Sequence, residues 1–199
     1  MDFTRVDPHN LPVDTESLAK ALIGYILVRD GKDGVTAGRI IETEAYVLND
    51  PASHAYPGLR PRTASMFRAP YHAYVYKIYG SYFCFNVASE PEHIGAGVLV
   101  RALEPIEGIK LMQRRRGTLA VRDLCRGPGR LCIALDIDRS LDGAYLPTDL
   151  RLWIGSPDRP GGPVGRSRRI GITQAANRRL RFYERGNPLV SGPKALSPS

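Results

Sequence analysis

The residues 35–46, VTAGRIIETEAY, carry two glutamates and a tyrosine among β-branched neighbours. Strand alternation puts Ile40, Glu42 and Glu44 on one face and Ile41, Thr43 and Ala45 on the other. A carboxylate beside apolar residues at the mouth of a pocket can serve as a general base. The same glutamate at a strand end can equally be exposed or ion-paired. Arg101 sits inside the apolar run VLVRAL, where a buried arginine needs a carboxylate, a phosphate or an ordered water to hold. Asn86, within FCFNVAS, is an amide that can read a base edge or satisfy backbone groups.

Aromatic rings crowd the same half of the chain. Tyr46, Tyr56, Tyr71, Tyr74, Tyr76, Tyr79 and Tyr82 are seven of its ten tyrosines, with His54 and His72 among them. Tyrosine favours strands, and most of these rings can pack edge to face in a core. Tyr79 differs, because it falls beside Gly80 at the tip of a hairpin and cannot reach the chain's own core. Something else must cover it, and aromatic rings stack on bases at about 1–3 kcal/mol each.

The charge is unevenly spread. Lys and Arg total 28 against 20 Asp and Glu, a net +8. Residues 1–150 balance at 18 of each sign, while 151–199 hold 10 basic and 2 acidic groups. Nine of those ten are arginine, and a second cluster spans Arg114, Arg115, Arg116, Arg122, Arg126 and Arg130. Arginine's planar fork suits phosphate, and neutralised phosphates release counterions. Arg114, Arg115, Arg166, Arg168 and Arg169 are therefore expected at a nucleic-acid backbone; a basic face kept only for solubility is the other reading of the same charge.

Other classes find little support. No apolar stretch approaches the roughly 20 residues of a transmembrane helix, and no secretory leader is expected from MDFTRVDPHNLPVDTE. Cys84, Cys125 and Cys132 have no metal-ligand spacing and suit buried thiols in a reducing cytoplasm. The four histidines, at 9, 54, 72 and 93, are scattered, so neither metal nor other cofactor is expected.

These residues need a scaffold. A helix over 14–23, capped by Asp14 or Thr15 and ended by Gly24, leads into a strand at YILVR. The strand 35–46 precedes a long loop over 47–70. Residues 72–89 form a hairpin turning at Tyr79-Gly80-Ser81, and 96–103 another strand. Pro105 is expected to open a helix through Arg116, with one or two short helices over 119–135 broken at Gly127-Pro128-Gly129. A strand at 150–154 and a surface loop over 155–167 precede two closing strands, RRIGIT and LRFYER. The expectation is one α+β domain over 1–199, with a largely antiparallel sheet, helices to one side, and frayed ends at 1–11 and 190–199.

The runs ETEAY, SHAY, RTASMF, AYVYKIYGSYFCFNV, VLVRALEP, LCRGPGRLC, RIGI and LRFYERGNP, in that order over residues 12–192, resemble the alkyladenine (3-methyladenine) DNA glycosylase family. The resemblance implies a curved antiparallel sheet with a protruding hairpin that inserts into the DNA minor groove. It implies that Glu44 activates water, and that Arg101 and a backbone group near Ile172 hold it. It puts Tyr46 and His54 on one face of an extruded base and Tyr76 on the other. Tyr79 would fill the gap in the duplex, and Asn86 would reject guanine by crowding its exocyclic amine. Residues 173–179, TQAANRR, lack the aromatic and the proline of the family pattern, and Thr173 stands where a glycine is expected. That departure bears on substrate range.

The expected activity is monofunctional hydrolysis of the N-glycosidic bond of alkylated or deaminated purines in duplex DNA. No lysine adjoins Glu44 to form a Schiff base, so no strand cleavage is expected. A cytoplasmic monomer, nucleoid-associated if bacterial, that contacts no membrane completes the expectation. A non-catalytic module that binds damaged DNA or RNA would use the same arginines and tyrosines, but would leave Glu44 with Arg101 without a task. A hydrolase of free nucleosides would have no use for Tyr79 or the basic end.

Overall fold

The computed structural model describes residues 3–78, 80–157, 159–193 and 195. Asp14 accepts the Ser17 amide at 2.8 Å and starts helix α1, Thr15–Ala21, whose Leu18 and Ala19 are buried. Strand β1, Ile26–Gly31, pairs antiparallel with the long strand β2, Gly34–Tyr46. Strands β3, Ala73–Ile78, and β4, Tyr82–Ala88, form a second hairpin, and β5, Gly97–Glu107, returns beside β4 and β2. Helices α2, Ile109–Arg116, and α3, Pro128–Leu135, follow; Pro128 supplies the first turn of α3, where its missing N–H costs nothing. Strand β6, Leu152–Gly155, then closes the order β3-β4-β5-β2-β1-β6. Strand β8, Arg181–Glu184, joins β2, and β7, Val164–Ser167, pairs with β8.

Strand β2 is buried from Thr36 to Ala45, so both its edges must be covered. Strand β5 runs along one edge. The other edge is divided, with β1 on Gly34–Arg39 and β8 on Glu42–Glu44. The result is a curled antiparallel sheet in an α+β fold. Helix α1 packs on β2 and α3 on β4 and β5, around a core that includes Leu18, Leu22, Ile40, Val75, Phe85, Val100 and Leu131.

Several local expectations fail, each for a physical reason. Pro105 does not open a helix; it lies within β5 opposite Gly38, at a register irregularity where a missing N–H is tolerated. The helix waits for Gly108, whose left-handed backbone (φ +70°) makes the turn into α2. RRIGIT is not a strand, because its Ile170 amide is spent on a side chain rather than on a ladder, and Gly171 takes φ +76°. The pairing shifts upstream to Val164–Ser167, inside the expected loop. The long loop holds a 3-10 helix over Pro61–Phe67. The stretches expected to fray contain buried Val6, Leu11, Val190 and Ser191.

Strict alternation also breaks. Against β5, Ile40 pairs with Leu103 and Glu42 with Ala102, leaving Ile41 as an extra residue. This bulge keeps Ile40 in the main core with Ala45, while Ile41 joins a separate cluster with Ala102, Tyr183 and Val190. Ile40 therefore does not share a face with the two glutamates.

A Cβ at Gly108 would meet the Val35 carbonyl oxygen at 2.4 Å, whereas one at Gly117, also left-handed, would meet nothing within 4 Å. Gly117→Ala should cost about 1–2 kcal/mol for its φ alone. Gly108→Ala should cost at least a further 1 kcal/mol or so from the clash. Urea denaturation of both variants checks this; equal losses would contradict it.

Candidate active site

The site begins at a second bulge. Glu42 pairs with Ala102 and Thr43 with Val100, so Arg101 has no partner in the β2–β5 register. A bulge re-aims its side chain, and Arg101 turns to both glutamates of β2. Its Nε lies 3.1 Å from Glu42 Oε1, and a terminal nitrogen lies 3.2 Å from Glu44 Oε2.

The two carboxylates, both fully buried, are held differently. Glu42 is saturated: Oε1 accepts from Arg101, from Arg181 Nε at 2.6 Å and from the Ser191 hydroxyl at 3.0 Å, and Oε2 from the Ser191 amide at 2.6 Å. Glu44 Oε1 accepts the Ile170 amide at 2.7 Å, and Oε2 the Tyr46 hydroxyl at 3.0 Å. Burial pushes the Glu44 carboxyl above its ordinary value, against the opposing pull of Arg101, the Ile170 amide and the Tyr46 hydroxyl. Burial also raises the Tyr46 phenol, with the Glu44 charge adding to it, so Tyr46 is a firm donor to that carboxylate.

Above this group opens a cavity of about 400 Å³. Its walls include Tyr46, His54, Tyr76, Asn86, Arg101 and Ile172. The volume falls within the roughly 300–1,000 Å³ of small-molecule sites. Three Glu44 neighbours, Tyr46, Arg101 and Ile170, are themselves wall residues, so the carboxylate lies directly behind the lining.

The aromatic wall differs from the expected sandwich in the place of His54. A ring inserted between two others needs about 7 Å, twice the ~3.5 Å contact distance. The His54 and Tyr76 centroids are 4.5 Å apart at 74°, edge to face, so they form one wall rather than two. Tyr74 stacks behind Tyr76 at 5.2 Å and meets His54 Nδ1 through its hydroxyl at 3.1 Å. Burial, then the nearby Arg62 charge, lowers the His54 pKa and keeps the ring neutral. Tyr46 carries the Arg169 guanidinium over one ring face, 4.6 Å from its centroid. The Asn86 amide donates to the Tyr74 carbonyl at 3.1 Å, which fixes it in the wall.

The backbone group on Glu44 is the Ile170 amide, and Ile172, near which a backbone group was expected to help hold the water, lines the cavity. The lining from this stretch stops at Ile172, and Thr173, Gln174 and 176–179 are exposed. Tyr79 lies outside the described residues.

The expected backbone arginines separate. Arg114 and Arg168 are exposed. Arg115 is tied to the Ala134 carbonyl at 3.0 Å and Asp33 at 3.8 Å, and Arg166 to Glu16 at 2.8 Å. Arg169 cannot touch a phosphate: its side chain has 0% exposure and forks onto Asp50. Arg126 and Arg130 line a basic depression beside the cavity that shares Arg101 and Ile170 with it. Sequence reasoning had no role for Glu42, Asp50 or Ser191. Their one signal was proximity: Glu42 and Asp50 flank Glu44 and Tyr46, and Arg169 belongs to the same run as Ile170.

Among the described residues no group of three His, Cys, Asp or Glu side chains could hold a metal, and no helix is long and apolar enough to cross a membrane.

Comparison with known proteins gives consistent matches. A protein of Mesorhizobium japonicum, provisionally named a 3-methyladenine DNA glycosylase, is 53% identical over 195 residues, covering 98% of this chain and 94% of that protein. A Paraburkholderia phytofirmans protein of the same provisional name is 48% identical over 94% of this chain and 88% of its own length. The human DNA-3-methyladenine glycosylase is 44% identical over 87% of this chain and 63% of its own length. With residues 9–188 matching the family profile as well, the chain belongs to the methylpurine-DNA glycosylase family.

Proposed function

We propose that this chain extrudes alkylated or deaminated purines, of the 3-methyladenine, hypoxanthine and ethenoadenine type, from duplex DNA and hydrolyses their N-glycosidic bonds. The observation that carries the reading is Glu44: a fully buried carboxylate of raised pKa, held by Arg101, Tyr46 and the Ile170 amide behind a cavity of nucleobase scale. A base inside a duplex cannot be reached, so it must leave the stack, at a cost of a few kcal/mol that falls when it pairs badly. Tyr79, which follows β3 in sequence, is assigned to the gap left behind.

In the cavity the purine lies against Tyr76, which His54 and Tyr74 hold in place. A methylated, cationic purine gains a cation–π contribution there, and neutral His54 adds no repulsion. The C1′–N bond breaks with its electron pair passing to the purine. Water bonds to C1′ and gives its proton to Glu44, whose charge also stabilises the positive sugar. Asn86 is assigned to crowd the exocyclic amine of guanine. Among the described residues that line the cavity none is a lysine, which supports a monofunctional reaction that leaves the strand intact.

Glu44→Gln should slow single-turnover base release from a hypoxanthine duplex by at least about 10²-fold while lesion binding stays within several-fold. Release at the native rate would sink the assignment.

The working form of Glu44 is the carboxylate, so release falls as pH drops through its pKa. Because burial raises that pKa, the acid limb of the single-turnover profile should lie above the ordinary glutamate value of about 4.3. A limb at or below that value contradicts a buried base.

Arg168→Ala should flatten the slope of log binding constant against log salt by about one, and Arg130→Ala, whose exposed guanidinium sits 3.9 Å from Asp123, by up to that amount. Arg115→Ala, with its guanidinium already engaged, should change the slope less. Unchanged slopes in the first two would place the DNA elsewhere.

A further inference from the structure

We propose that the buried Asp50–Arg169 ion pair is a positioning device that seats Tyr46 and the Ile170 amide on Glu44. The proposal rests on Glu44 being the general base. Both partners have 0% side-chain exposure. The two terminal nitrogens of Arg169 reach both Asp50 oxygens, the second at 3.0 Å, and one of them also donates to the Ala45 carbonyl at 3.0 Å. The cation is thereby pinned over the Tyr46 ring, whose hydroxyl donates to Glu44. The residue after Arg169 is Ile170, whose amide is the other donor to that carboxylate. Asp50 also accepts the Ala52 amide at 3.1 Å, which fixes the turn that brings Ala52 and His54 to the cavity.

A buried ion pair is weak ground for stability, since apolar residues of equal volume often serve as well. They could not hold a planar cation on a tyrosine face, a strand carbonyl and a turn amide in one register. The groups facing Glu44 are Arg101 from β5, Tyr46 and Glu42 from β2, Cys84 from β4 and the Ile170 amide. Of these, Tyr46 and the amide depend on Arg169. Both favour the charged carboxylate, so displacing them raises its proton affinity.

The test compares Arg169→Lys and Asp50→Asn with the native chain, using a hypoxanthine duplex. Single-turnover release should fall about 10²-fold, the scale of an ångström-sized misplacement. The acid limb should move to higher pH, and the Kd for the lesion duplex should stay within several-fold. In a Tyr46→Phe background the Arg169→Lys effect should shrink to the part carried by the Ile170 amide, because the part carried by the Tyr46 hydroxyl is already gone. An unmoved acid limb, or a loss confined to Kd, overturns the proposal. So does an equal effect in both backgrounds. Should the pair variants not fold, Tyr46→Phe alone still decides: its acid limb must rise, and an unmoved limb refutes the chain of contacts. An active Glu44→Gln would instead sink the general-base reading, so the two failures are told apart.

Discussion

Everything at this site depends on one guanidinium shared by two buried carboxylates. Glu42 and Glu44 lie on one strand, and the Glu42 charge raises the cost of ionising Glu44. Arg101 bridges them, and Arg181 supplies the second positive charge on Glu42. With Asp50 and Arg169, three carboxylates balance three guanidinium groups among buried residues. Removing one partner of such a pair leaves an uncompensated charge, typically at about 3–5 kcal/mol. The two glutamates divide the labour. Glu42 accepts from two arginines and from Ser191 and has no capacity for a substrate. Glu44 is held by donors that also line the cavity, so its environment changes when the cavity fills.

The backbone makes this arrangement possible through irregularity. An unbroken β2–β5 ladder would point Arg101 by simple alternation, and Glu42 and Glu44 would follow Ile40 to its face. The extra residue Ile41 and the unpaired Arg101 uncouple the polar face from the core face. Dividing the far edge of β2 between β1 and β8 brings Arg181 opposite Glu44, and lets Ser191 reach Glu42. The C-terminal stretch is thus part of the site's support rather than a tail.

The cavity is electrically quiet although arginines surround it. Arg101 and Arg169 are neutralised by carboxylates, and His54 is kept uncharged by burial. The cavity thus presents aromatic faces rather than net positive charge. Exposed positive charge lies outside, at Arg168 and at Arg130, which sits 3.9 Å from Asp123.

Local composition already determined much of this molecule. The Asp14 cap, the β-branched run of β2 and the β3–β4 hairpin each have a cause within a few residues, and each was legible; Pro128, expected inside a helix break, instead heads α3. Also legible were Glu44 and Arg101 as residues to watch, because a carboxylate or an arginine inside an apolar run needs a partner, whereas Tyr46 and Tyr76 stood out through the family resemblance. What sequence could not supply was geometry set by distant strands. The helix expected from Pro105 yielded to the pairing of β5 with β2, and RRIGIT gave up its strand because its amide had a carboxylate to satisfy. His54, expected across the base from Tyr76, stands against it in one wall, and Arg169, read as a phosphate ligand, proved to be buried. Whether an arginine meets solvent or a carboxylate depends on what lies across the fold: here Asp50, 119 positions away in sequence, matches a cost of burial that no local pattern records.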